Sequence, residues 1–161
     1  MKMRKYVLTA VLSAAVLTPG VSSAQSTSGT FNVNITLTSA CTLSAITALD
    51  FAYTSNQAGV QAATGGGLTV NCTNTLPYTF GLQAGSGAAV PPGAASISPP
   101  ADNVVNLLYT LTAPAGATGN GTPQGTSITG SMAALQAGTC GVASCTNAAA
   151  TNRTHTLIVN F

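Results

Sequence analysis

Phe31-Asn32-Val33-Asn34-Ile35-Thr36-Leu37-Thr38 places an apolar side chain at every second position, with Asn or Thr between them. A period of two belongs to an extended strand, because successive side chains point to opposite faces; one face here is apolar and the other polar. Working outward, the same alternation and the same enrichment in Thr, Val and Ile recur. They are found in residues 43–51, in Gly67-Leu68-Thr69-Val70-Asn71-Cys72, in Tyr78-Thr79-Phe80-Gly81-Leu82, in residues 104–111 and in residues 126–132. The series closes with Leu157, Val159 and Phe161. No window longer than ten residues has apolar positions at helical spacing. Clusters of Gly, Pro, Asn and Ser separate the strands. Residues 84–102 contain Pro91-Pro92 and Pro99-Pro100, which a central strand does not accommodate, and read as a long surface loop. Residues 114–125, with Asn120-Gly121, read as a turn region, and residues 133–151 as an irregular loop. Some seven short strands at this spacing predict an all-β fold, an antiparallel sandwich of immunoglobulin-like type, with a jelly roll as the second choice.

The 161 residues amount to one domain, and only 4% of them are charged, against about a quarter in an average soluble domain. Lys2, Arg4 and Lys5 precede an apolar stretch at residues 6–17, a Pro19-Gly20 break, and small residues Ser22 and Ala24. That is the layout of a secretory signal cut after Ala24, and its apolar stretch is short of the roughly 20 residues a membrane span needs. Residues 25–161 then carry one Arg (Arg153) against two Asp (Asp50 and Asp102), a net charge of minus one with His155 neutral. Nucleic acid and anionic membrane are poor partners for such a surface.

Export places Cys41, Cys72, Cys140 and Cys145 in an oxidising space, where disulfides are favoured over free thiols. Three pairings are possible. Cys41 with Cys72 and Cys140 with Cys145 is the favoured one, because Gly138, Gly141 and Ser144 let the second, short loop close. A zinc site would need tighter ligand pairs than the C-x4-C present, so no metal is expected. Acid/base chemistry would have to come from His155, Asp50 and Asp102 alone, and no G-x-S-x-G elbow occurs. The two aspartates read as turn or strand-end hydrogen bonders. No enzyme activity, cofactor or small-molecule substrate is expected. A self-contained secreted binding module is the alternative function, although four Tyr, four Phe and no Trp make a poor stacking platform for sugars.

The strand at residues 31–37 follows a small, polar leader and can complete its own sandwich or reach into another copy. A final strand with alternating apolar side chains and no charge is an exposed edge that needs a partner. Strand addition between pilin subunits is one known solution. The order T-F-N-V-N-I-T-L-T-S-A-C-T-L (residues 30–43), L-D-F-A-Y (49–53), G-G-L-T-V-N-C-T (66–73), L-P-Y-T-F-G-L (76–82), N-L-L-Y-T-L (106–111) and H-T-L-I-V-N-F (155–161) resembles the spore coat protein U domain family, which includes subunits of archaic, Csu-type chaperone-usher pili. The resemblance implies an incomplete immunoglobulin-like sandwich completed by donor-strand exchange, with residues 25–37 as donor segment and 38–161 as pilin domain. Phe31, Val33, Ile35 and Leu37 are then the donor side chains. Leu157, Val159 and Phe161 line the acceptor groove or bind the chaperone, and Cys41–Cys72 is the pilin bridge. The implied partners are other copies or related subunits, a periplasmic chaperone and an outer-membrane usher. The implied destination is the surface of a Gram-negative cell, by way of the periplasm, with adhesion and biofilm formation as the role. The family's Gly-x-Tyr-x-Asp element ahead of the last strand is replaced here by Ala149-Ala150-Thr151-Asn152-Arg153.

Overall fold

In Gly67–Cys72 the alternation becomes structure: Leu68, Val70 and Cys72 are buried, and the residues between them reach toward the surface. A computed structural model describes residues 25–161, so the expected leader, residues 1–24, lies outside the described residues. The chain falls into two units that meet between Thr36 and Leu37.

Residues 25–40 carry no strand, and Phe31, Val33, Ile35 and Leu37 are 86, 71, 86 and 78% exposed. This corrects the strand expected at residues 31–37. Period two marks a segment able to join a sheet, but a lone extended segment has no ladder to hold it.

The second unit holds, among the described residues, twelve short strands and no helix. In chain order they are β1 (Cys41–Leu43), β2 (Leu49–Asp50), β3 (Gln61–Ala62), β4 (Thr64–Gly65), β5 (Gly67–Cys72) and β6 (Pro77–Ala84). Then follow β7 (Ser96–Ile97), β8 (Thr110–Thr112), β9 (Ala117–Thr118), β10 (Gln124–Ser127), β11 (Thr129–Met132) and β12 (His155–Asn160). All pairings are antiparallel, in sheets of order β1-β5-β10, β3-β11-β8-β7, β12-β6-β9 and β2-β4. These antiparallel sheets are consistent with a β-sandwich. The core between them is made by Leu68 and Val70 of β5, Tyr78, Phe80 and Leu82 of β6, Leu111 of β8, and Ile128. Tyr78 and Phe80 meet edge to face at 5.5 Å.

Several strands differ from the sequence expectation, each for a local reason. Residues 43–51 split: Ser44 and Thr47 still donate to Thr69 and Gly67 carbonyls, then Leu49–Asp50 leaves β5 to pair with β4. That crossing is tight. A side chain at Gly65, which has φ +88°, would run into the Ala48 carbonyl oxygen. The strand expected over 104–111 starts only at Thr110, because Asp102 takes the earlier amides. Its Oδ1 accepts from Val104 N and Val105 N at 2.9 Å each, and Asp102 N donates to the Leu107 carbonyl. An aspartate that captures the amides two and three residues on makes a turn of what alternation reads as a strand. The proline-rich stretch 84–102 is not purely loop. Ala94 bridges to Leu82, and β7 pairs with β8. The turn region at 114–125 holds β9 and the start of β10, and residues 126–132 form two strands interrupted at Ile128. The final strand begins two residues early, at His155, and stops at Asn160.

Both expected disulfides are present. Cys41–Cys72 joins directly paired positions of β1 and β5, and Cys140–Cys145 closes a short loop in the irregular 133–151 segment.

Candidate functional site

β12 pairs with β6 along its whole length, from His155 opposite Ala84 to Asn160 opposite Thr79. It stands last in the order β12-β6-β9, so no strand among the described residues pairs with its other edge. Leu157 and Val159 lie opposite Leu82 and Phe80 and pack, half-buried, against the core. Ile158, on the other face, is the best buried residue of the strand at 5% exposure, and sequence alternation missed it. It pairs with Gly81, where a side chain would collide with the Pro92 carbonyl oxygen; the 90–94 segment lies directly over that face.

Beside the start of β12 opens a groove of about 690 Å³. Leu82, Leu111, Ile128 and Met132, all buried, form its base. Residues 46–51 flank it with Ile46, Leu49 and Phe51, and β12 contributes His155, Thr156 and Leu157. Of the three expected acceptor residues, Leu157 lines this groove. Val159 packs against the core, and Phe161 lies past the strand, 62% exposed. The donor residues Phe31, Val33, Ile35 and Leu37 belong to the exposed, strandless stretch described above.

The lining of the groove also includes every Asp, Arg and His of residues 25–161: Asp50, Asp102, Arg153 and His155. Nothing in their spacing announces this, since three separate chain segments bring them together. Asp102 is 2% exposed, with Oδ2 accepting from Asn147 Nδ2 at 2.9 Å. Burial alone would raise its carboxyl. The Val105 amide, the Asn147 side chain, the Val104 amide and the Arg153 charge outweigh that and hold it below the ordinary value. Tyr109 OH meets His155 Nε2 at 2.6 Å, and the rings pack edge to face at 5.7 Å. The Phe51 ring lies 6.0 Å from that of Tyr109, tilted by 42°. Burial raises the Tyr109 hydroxyl, with a further push from the Asp102 charge, and burial lowers His155.

Residues 149–153, just ahead of β12, are tied to residues 101–103 through side-chain amides. Asn152 Nδ2 donates to the Ala101 carbonyl, Asn152 Oδ1 accepts from Asn103 N, and Asn103 Nδ2 donates to Thr151 Oγ1. Ala150 is buried beneath them.

A strand edge beside an open groove, in a disulfide-bonded all-β chain, narrows the choice of family, and the family model for the Spore Coat Protein U domain matches residues 27–153. The chain belongs to the spore coat protein U domain family. This family comprises subunits of Csu-type chaperone-usher pili, a structural rather than enzymatic class. Spore coat U pilus subunits are exported to the cell surface and associate in general with other subunits, a chaperone and an usher; the two disulfides fit an oxidising periplasm. The match to the spore coat U domain takes in β1 through β11 and ends just ahead of β12. No curated protein and no solved structure matches the chain.

Proposed function

We propose that this chain is a structural pilus subunit that polymerises by donor-strand complementation. Residues 38–161 are the acceptor body, one strand short of a closed sandwich, and residues 25–37 are the strand it gives to its neighbour. The observation that carries this reading is an edge of β12 that no strand among the described residues pairs, beside an open groove with an apolar base, in a chain whose segment 31–37 has a strand's alternation and forms no strand. In a complete immunoglobulin-type sandwich the place beyond strand F is taken by strand G. In this reading β12 takes the place of F, and no strand among the described residues pairs with its other edge.

Burying Phe31, Val33, Ile35 and Leu37 at about 1.5–3 kcal/mol each contributes about 6–12 kcal/mol. Ordering the seven backbone residues 31–37 costs about 7–14 kcal/mol. The two nearly cancel, so the ladder hydrogen bonds along β12 decide the sign. A groove with an exact edge partner is therefore required, and a merely greasy surface does not suffice. Until the neighbour arrives, a periplasmic chaperone covers the edge, and the outer-membrane usher exchanges that cover for the incoming segment. Residues 1–24 direct export, and the assembled fibre supports adhesion and biofilm formation.

Deleting residues 25–37 tests this. The expected result is loss of polymers, while the truncated chain still accepts a peptide of sequence 25–38 and is stabilised by it. A truncated chain that polymerises as before, or a full chain that stays a stable monomer at every concentration, overturns the reading in favour of a self-contained binding module.

A further inference from the structure

His155 is the sequence's single histidine, and it stands at the point where the groove meets β12. Its Nε2 has one partner, the Tyr109 hydroxyl, and its Nδ1 is enclosed with no hydrogen-bond partner. Around it, the 46–53 segment brings Asp50 and Tyr53, the turn at 102–109 brings Asp102 and Tyr109, and the approach to β12 brings Arg153. No carboxylate bonds the imidazole. The oxygens of Asp102 already accept from Val104 N, Val105 N and Asn147 Nδ2. Arg153 would be a like charge to an imidazolium.

A protonated ring has two N–H donors. One acceptor, the Tyr109 oxygen, is in place for Nε2, and there is none for Nδ1. A buried N–H without an acceptor carries its full desolvation penalty, so the charged ring is driven out of its seat toward water. The space open to it is the groove, where an incoming strand would lie. We propose that His155 makes the groove a pH-gated acceptor: an apolar strand seats against the neutral imidazole, and proton uptake by the ring refuses or releases it. This rests on the strand-acceptor reading of the groove and adds the condition under which the groove can be filled.

The direction follows from linkage. Burial already lowers the proton affinity of His155, and a seated strand buries it further, so the filled groove binds the proton more weakly than the empty one. Above the ordinary imidazole range both forms are neutral and nothing is lost. As pH falls below the ordinary imidazole value of about 6.5 and through the lowered value of the empty form, that form gains the proton first and filling is penalised. An imidazole of ordinary value, about 6.5, that lost its titration on filling would weaken strand affinity about thirty-fold at pH 5; His155 is lowered already in the empty groove, so its loss stays below that ceiling.

The test is the rate at which subunits leave preformed polymers of residues 25–161 in urea, measured between pH 8 and pH 5 for wild type and His155→Gln. Several-fold faster release of wild type at pH 5, with a flat profile for His155→Gln, is the expected result. Because no other histidine is present, the ring-proton NMR signal of wild type reports the same event without a variant. Its titration midpoint should fall when monomer becomes polymer. Polymers whose release is pH-independent, or an imidazole midpoint equal in monomer and polymer, overturn the gate and leave the pilin reading standing. Failure to polymerise at any pH overturns both.

Discussion

Replacing Asp102 should unfasten the 102–107 turn beside the groove. Its carboxylate accepts three hydrogen bonds at 2.9 Å, from Val104 N, Val105 N and Asn147 Nδ2, while its own amide and carbonyl close the 102–107 loop. Asp102→Ala leaves two backbone N–H groups and a side-chain amide without their acceptor at a site only 2% exposed. Bonds to a charged acceptor contribute about 1.5–3 kcal/mol each, but water reaches part of the loosened turn, so a total cost of about 3–5 kcal/mol is expected. Asp102→Asn keeps an oxygen for the two backbone amides and loses the charge and the Asn147 bond, for about 1–2 kcal/mol. Equilibrium urea unfolding followed by far-ultraviolet circular dichroism, at pH 7, separates the two. The wild-type carboxyl is held below its ordinary value, so its contribution is fully present above about pH 4 and disappears as pH falls through the lower folded-state value. Asp102→Asn should lack that acid limb. An Asp102→Ala protein within about 1 kcal/mol of wild type would refute the capture of the 104 and 105 amides as the reason no strand forms there.

Three further outcomes follow from the packing. Gly81→Val places a side chain against the Pro92 carbonyl, so the 90–94 segment must lift off β6; a loss of about 1–3 kcal/mol and exposure of Ile158 to hydrogen exchange are expected. Opening Cys41–Cys72, which spans 31 positions, should cost about 3–4 kcal/mol, and opening Cys140–Cys145, which spans 5, about 2 kcal/mol, so melting curves of the two Cys-to-Ser pairs should rank in that order. Ile35→Asp removes an apolar side chain from the proposed donor, exposed in the single chain, and would set a charge in the neighbour's groove; subunit melting should be unchanged while polymers fail to form, as sedimentation would report.

Strong alternation with buried partners was legible: 67–72, 77–84 and 155–160 are strands because their apolar faces have a core to meet. The same signal at 31–37 gave no strand, since periodicity reports the ability to join a sheet and says nothing of whether an edge is available. At 104–109 a side-chain acceptor outcompeted the ladder, and Gly65 and Gly81 mark close crossings that alternation cannot register. The cysteine pairing followed from loop lengths and small neighbours. The groove was the least legible feature. Leu157 was within reach of pattern reading, but Phe51, Tyr109, Asp102 and His155 come together only through the topology.

Most direct is a measurement of where residues 31–37 lie in the assembled fibre. Polymers grown from a mixture of two differently isotope-labelled populations of the chain allow solid-state NMR to detect contacts that arise only between molecules. The expected result is a set of intermolecular contacts from Ile35 and Leu37 to Leu157 and Leu49, with the β12 amides newly protected. Contacts from that segment confined to its own molecule, or a β12 edge as open in the fibre as in the monomer, would contradict the account.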